Sequence, residues 1–382
     1  MKFAHLGDCH LGGWRHPELK ELNFKTFKVA IERCIKERVD FILISGDLFD
    51  SSYPPIDTLK ETFREFRRLK ESGIPVFLIA GSHDYSVSGK TFLDVLAKSG
   101  FCKNVAVFEE RNEKIILEPT IYKEVAIYGY PGKKSSLEVE ELSRLKLQDS
   151  PGFFKILLLH TTLHEAIGSL PVKSISQDSL PTVDYLALGH LHINYVKEKV
   201  AYSGPLFPNN LSELEELKAG SFNIIENGVI KRQEIKLKEV LSLNFKINNS
   251  LNATEEIISK LKIENLKDKI IILKLSGLLE TGKISDIDFS KIEDYVKKAG
   301  AFVFLKSTSR LYLPESDIKI EVFDSFNIEG EIIKKFEDTN QDKFNIMIPS
   351  LIKTLQIEKL DDEKSVNFEE RLISEAKKIL RI

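Results

Sequence analysis

A chain of 382 residues exceeds one comfortable hydrophobic core, so a main domain of about two hundred residues or more with a smaller companion is expected. With 42% hydrophobic and 30% charged residues the composition excludes a disordered chain, and a net charge of -3 excludes a uniformly basic coat for nucleic acid while leaving room for a local basic groove. No apolar run approaches the roughly 18 residues of a membrane span, and an acid at Asp8 comes too early for a signal peptide, so no membrane association and an intracellular location are expected.

In chain order, the first 235 residues alternate short apolar runs with amphipathic stretches, the pattern of helices covering both faces of a buried sheet. Strands are expected at Lys2 to Gly7, Phe41 to Ser45, Val76 to Ala80, Val125 to Tyr130, Lys155 to Leu159 and Tyr185 to Leu188. Between them, Phe24, Phe27, Ile31 and Ile35 recur at helical spacing, as do Leu59, Phe63, Phe66 and Leu69 after Pro54-Pro55, with Asp57 as cap. The first strands and helices form βαβ units, so parallel pairing is expected, with functional loops at the carboxyl ends of the strands. Asn227-Gly228 signals a hairpin. After Lys238 the pattern restarts, with strands at Leu243 to Ile247, Lys269 to Leu275 and Phe302 to Lys306 around helices at Thr254 to Leu261 and near Phe289 to Ala299. From about residue 320 the chain is polar, and Phe368, Leu372, Ile373, Ala376 and Leu380 form an apolar helical stripe. The three cysteines, Cys9, Cys34 and Cys102, are odd in number, lack CxxC spacing and are expected as reduced thiols.

The chemistry lies at the ends of the expected strands. Asp8-Cys9-His10 follows the first, and extended geometry sends Asp8 and His10 to one side. Ser45-Gly46-Asp47 follows the second and brings a further carboxylate to the same edge. Gly81-Ser82-His83-Asp84 follows the third, an imidazole with an adjacent acid able to orient it. His160 ends a fourth and Gly189-His190-Leu191-His192 a fifth. Five of eight histidines thus fall directly after strands, which random placement rarely produces. Mixed nitrogen and oxygen donors suit manganese, zinc or iron rather than magnesium or calcium. The donor count fits two ions with Asp47 between them, a pair about 3.5–4 Å apart that clamps a phosphate and activates water for in-line attack.

The ordered set DxH, GD, GxHD, a strand-end His and GHxH resembles the calcineurin-like metallophosphoesterase superfamily over roughly the first 205 residues. Within it, Lys2-Phe3-Ala4-His5-Leu6, the Phe41-Ile42-Leu43-Ile44-Ser45-Gly46-Asp47-Leu48-Phe49 run and the appended α/β segment resemble SbcD-type nucleases, which include the meiotic-recombination-eleven proteins. The resemblance implies an α/β fold, a sandwich of mixed sheets flanked by helices. It further implies a nuclease domain over residues 1–237, a smaller α/β DNA-capping domain over 238–320 and a helical tail over 321–382 that grips a partner. It implies two divalent ions, most simply Mn²⁺, one held by Asp8, His10, Asp47 and His192 and the other by Asp47, His160 and His190 with Ser82. His83 matches the family's catalytic histidine, with Asp84 as its orienting partner. The implied activity is 3′ to 5′ exonuclease on duplex DNA and endonuclease on single strands, in double-strand-break repair. The implied partners are DNA, an SbcC-like, SMC-related coiled-coil ATPase and a second copy of the chain, paired through the second helix and Phe92, Leu93 and Leu96. A small-nucleotide phosphodiesterase or phosphatase, and a non-catalytic DNA-end scaffold, stay open beside it.

Two positions depart from the family pattern. Ser82 stands where Asn is usual, and its shorter hydroxyl predicts weaker binding of the second ion. Asp50 stands where a histidine is usual, and Phe207-Pro208-Asn209-Asn210 offers no phosphate-binding arginine, so DNA contacts are expected elsewhere. Trp14 reads as a loop anchor or a base-stacking surface, and His164 as unrelated to the cluster despite its spacing from His160.

Overall fold

The computed structural model of the chain describes residues 1–86, 91–168, 172–313 and 365–380, with single positions between 347 and 357. These fall into two units, one of residues 1–277 with 281–311 and one of residues 278–280 with 312–382.

In the first unit the apolar runs become strands buried on both faces. The periodicity alone suggests one sheet, and the structure has two of six strands each. One is ordered Val229–Ile235, Gly220–Glu226, Lys2–Leu6, Phe41–Ser45, Val76–Ile79 and Lys103–Asn104, parallel from Lys2–Leu6 onward and antiparallel on the other side. The other is ordered Asn194–Lys197, Val200–Ser203, Tyr185–Gly189, Phe154–His160, Val125–Tyr130 and Thr120–Tyr122, with its four middle strands parallel. Alternation along each strand divides the side chains between two layers. Phe3, Phe41, Leu43, Phe77 and Ile79 of the first sheet meet Val125, Ile127, Ile156, Leu158 and Ala187 of the second. Phe3 stacks on Phe41 at 4.9 Å and meets the edge of Tyr185 at 5.3 Å. Each such buried side chain contributes about 1.5–3 kcal/mol, so this inter-sheet layer fixes how the two sets of strand ends face each other.

Ala4, Leu6, Ile42 and Ile44 point the other way, onto Phe27 and Ile31 of helix Pro17–Lys36 and Phe66 and Leu69 of helix Ile56–Glu71. The second helix opens at Pro55, whose fixed backbone starts it, and Asp57 lies in its first turn rather than at the cap expected of it. Among the described residues no long helix covers the outer face of the second sheet. Tyr128, Leu157, Leu159 and Leu188 pack instead on Leu163, Leu180 and Ile115, Leu117 and Leu145 of a three-stranded sheet. The Asn227-Gly228 turn has φ of 51° and 79° and pairs Glu226 with Val229, a two-residue hairpin.

After Lys238 come strands Glu239–Lys246, Lys269–Leu278 and Val303–Tyr312, in one sheet, with helices Ser250–Leu261 and Phe289–Lys298. Ile270, Ile272 and Val303 share an apolar cluster with Leu19, Leu22, Phe207 and Leu214. In the second unit Ser365–Leu380 is a helix in which Phe368 and Leu372 are half-buried and Ile373 is exposed. The remainder of the tail expected from residue 321 lies largely outside the described residues. No described helix is long and apolar enough to cross a membrane.

Candidate metal centre

Parallel pairing sends the carboxyl ends of five strands to one edge of the sandwich, and the chain turns there under constraint. Asp8, His10, Asp47 and His190 all hold left-handed backbone, with φ of 49°, 42°, 49° and 96°. A non-glycine residue held there costs on the order of 1–3 kcal/mol, and such strain gathers at functional sites. Cross-loop bonds hold it: the Asp8 amide donates to the Gly46 carbonyl at 3.1 Å and the His10 amide to the Asp47 carbonyl at 3.0 Å. Gly46 has φ of 93°, and a Cβ there would collide with the His160 ring.

Three imidazoles are oriented in the same way. A carbonyl or carboxylate oxygen only accepts, so a ring nitrogen facing one carries the proton. His10 donates Nδ1–H to Asp50 Oδ1 at 3.1 Å, His192 to Glu213 Oε1 at 2.9 Å and His160 to the Ser45 carbonyl at 3.0 Å. Each then presents Nε2 to the same buried space. The Nε2 atoms of His10 and His192 lie 3.0 Å apart. In neutral rings these are two lone pairs facing each other, an arrangement that a shared cation relieves. Asp50 is therefore the partner of His10, and Asn209 donates Nδ2–H to the same carboxylate oxygen at 3.2 Å.

Two carboxylates, 1% and 2% exposed, complete the space. Asp8 Oδ1 accepts the His190 amide at 2.9 Å, and its Oδ2 has no hydrogen-bond partner among the described residues. Asp47 Oδ1 accepts the His83 amide at 2.8 Å, and its Oδ2 lies 3.2 Å from His160 Nε2, 3.4 Å from Ser82 Oγ and 3.7 Å from His10 Nε2. Burial alone would raise the Asp47 pKa, but the His160, His10 and His83 rings hold it well below the carboxylate range. Burial likewise opposes charging His160, yet the Asp47 carboxylate raises it to about 10. His190 behaves oppositely, lowered to about 4 by burial and then by the charge on His160, whose ring lies 5.1 Å away.

His83 stands apart, with its side chain 45% exposed. It donates Nδ1–H to the Asp50 carbonyl at 2.8 Å, and its ring meets the edge of His10 at 4.6 Å. The orienting contact expected from Asp84 is not made. Asp84 is turned into the loops, where its carboxylate accepts the amides of Leu48, Phe49 and Gly81 at 3.1, 3.0 and 3.1 Å. Burial, and then the Asp47 charge, raise it to about 7 despite these bonds. Its role is to tie the second and third strand-end loops together, and Asp50 orients His83. Trp14 is the loop anchor, donating Nε1–H to the Pro208 carbonyl at 2.8 Å. His164 joins no metal-binding group among the described residues.

The donors fit divalent metal ions. Asp8, His10 and His192 each offer a ligand atom within 4.8 Å of the others, and so do Asp8, Asp47 and His160. Asp8 Oδ2 is buried without a hydrogen-bond partner among the described residues, a cost of about 1–3 kcal/mol that a metal ion removes. Residues 1–194 match the calcineurin-like phosphoesterase model. The chain belongs to the calcineurin-like phosphoesterase family. Its curated relatives include proteins named DNA double-strand break repair protein Mre11. That of Methanosarcina acetivorans is 29% identical over 88% of this chain and 55% of the relative. That of Methanosarcina mazei is 27% identical over 88% and 54%. That of Sulfurisphaera tokodaii is 32% identical over 73% and 67%. The chain spans about half the length of the two Methanosarcina relatives.

Within this calcineurin-like phosphoesterase, Glu213 is a supporting residue that sequence reading missed. Its only signal is Asn210-x-x-Glu213, a helix-capping pattern, and Asn210 does cap helix Leu211–Leu217. The helix is fixed from behind, with Leu214 in the apolar cluster and Glu215 bonded to Lys274 at 2.5 Å and Ser242 at 2.8 Å. Glu213→Ala frees the His192 ring to rotate and is expected to weaken Mn²⁺ binding by about 10- to 100-fold in calorimetric titration. An unchanged affinity would show that His192 needs no carboxylate behind it.

Proposed function

We propose that this chain is a dimetal nuclease that processes DNA ends, acting as a 3′ to 5′ exonuclease on duplexes and an endonuclease on single strands. The observation that carries this reading is the convergence of three oriented imidazole Nε2 atoms and two buried carboxylates beside an exposed histidine. Asp8, His10, Asp47 and His192 hold one ion, and Asp47, His160, His190 and Ser82 the other, with Mn²⁺ suited to such mixed donors. Two ions at such a site supply charge stabilisation for the phosphoryl group and lower the pKa of a water molecule. His83 then gives a proton to the departing sugar oxygen, with its Nδ1–H held by the Asp50 carbonyl. The Ser82 hydroxyl, spent on Asp47 at 3.4 Å, makes the second ion the weaker one.

The names of the relatives support double-strand-break repair as the setting, and the proposed partner of the tail helix is an SMC-like coiled-coil ATPase. Residues 1–237 form the nuclease domain, and the α/β segment from 238 to 320 caps the DNA. Leu93 and Leu96 are buried in the core, so pairing of two copies falls to outward residues of the same helices, Ile56 and Val95.

The test is purified protein incubated with labelled duplex, single-stranded and mononucleotide substrates, with and without Mn²⁺. Metal-dependent shortening of duplex from the 3′ end and internal cutting of single strands are expected. Hydrolysis confined to mononucleotides would replace the nuclease with a small-nucleotide phosphodiesterase, and DNA binding with no turnover would leave a scaffold.

A further inference from the structure

Beside His83 the protein has a cavity of about 330 Å³ lined by Asp50, Ser51, Ser52, Ser82, His83 and Lys134. Among the described residues of its lining the His83 imidazole is the one ring, and the rest are small polar or charged side chains. What it offers is hydroxyls and one ammonium. Ser51 Oγ accepts the Tyr53 amide at 3.3 Å, which leaves its proton to donate outward. The Asp50 carboxylate accepts from His10 and Asn209 through Oδ1. Lys134 is the one lysine or arginine among the described residues of the lining.

The loop that brings Lys134 there is fixed to the metal centre. Gly132 donates its amide to the Ala80 carbonyl at 2.9 Å, and a Cβ on Gly132 would lie 2.6 Å from the His160 ring. The neighbouring Lys133 is occupied, bonded to Glu141 at 2.6 Å. Lys134, exposed, has no ion pair among the described residues.

We propose that this cavity seats the phosphodiester flanking the scissile one, held by the Lys134 ammonium with the Ser51 and Ser52 hydroxyls. Lys134 is thus a specificity residue that reads the strand backbone without reading its sequence. This supplies the phosphate contact that the Phe207–Asn210 loop lacks, and it rests on the nuclease reading for its substrate class.

The test compares wild type with Lys134→Ala and Lys134→Arg on a single-stranded oligonucleotide and on bis(p-nitrophenyl) phosphate, which has no flanking phosphate. Lys134→Ala is expected to raise KM for the oligonucleotide about tenfold with little change in kcat, a loss well beyond that on the small diester, and Lys134→Arg to restore most of it. Binding of the same oligonucleotide without metal, read by fluorescence anisotropy against salt, should lose about 0.7 from its log–log slope in Lys134→Ala. Equal losses on both substrates, or an unchanged KM and slope, overturn the proposal. If wild type cleaves neither substrate, the nuclease reading fails, and the salt slope alone then decides whether Lys134 contacts phosphate.

Discussion

Asp47→Asn is expected to lower phosphodiester turnover by at least about three orders of magnitude, the equivalent of some 4 kcal/mol of transition-state stabilisation. The size follows from position. Asp47 lies between the two groups of donors, with one oxygen on the His83 amide and the other facing His160, Ser82 and His10. An amide of the same shape removes the charge that two cations would share, and its NH₂ group, if turned to the donors, repels them. It also releases His160, whose raised pKa depends on that carboxylate after burial has worked against it. The fold should survive, because the loops are held by backbone bonds from Asp8 and His10 and by the three amides on Asp84. Thermal melting with and without Mn²⁺ separates the two effects. Wild type is expected to gain stability with metal concentration, since a ligand at 100 times its Kd adds about 2.7 kcal/mol. The variant should melt near the metal-free wild type and gain much less. Wild-type metal stabilisation in Asp47→Asn would remove Asp47 from the metal centre.

The strand-end positions of this centre could be seen in the sequence because buried parallel strands write themselves as apolar runs, and the residue after each run is where chemistry belongs. Asp8, His10, Asp47, His160 and His192 were each visible for that reason. Their supports were not. Asp84 follows His83 in the chain, and adjacency suggests contact, but the turn that exposes His83 carries Asp84 inward to the amides of Leu48 and Phe49. Asp50 reads as a departure from a family pattern until His10 is found 3.1 Å from it. Glu213 lies 21 residues from the ring it holds, and spacing alone gives no sign of that contact. The sandwich of mixed sheets followed from the family resemblance and not from periodicity, since an apolar run reports burial on both faces and not the identity of its neighbours. The strands Phe108–Arg111, Lys114–Leu117 and Leu145–Leu147 are only three or four residues long, too short for any period to show.

On the DNA substrate proposed above, His83→Asn is expected to lower kcat by about 10²- to 10⁴-fold, the range of a lost general acid, while leaving Mn²⁺ affinity within a few-fold of wild type. The asymmetry comes from the geometry. His83 comes within metal-binding reach of His10 and Asp50 but joins neither the Asp8, His10 and His192 group nor the Asp8, Asp47 and His160 group, and its exposed ring has Nδ1 fixed on the Asp50 carbonyl. Its backbone amide, which does reach Asp47, is unchanged by the substitution. The leaving group then discriminates between roles. A sugar alkoxide departs poorly without a proton, whereas p-nitrophenolate needs none. Turnover of bis(p-nitrophenyl) phosphate should therefore fall far less than turnover of DNA. A uniform loss on both substrates would mean that His83 stabilises charge on the phosphoryl group rather than delivering a proton. A matching loss of metal affinity would place it among the ligands.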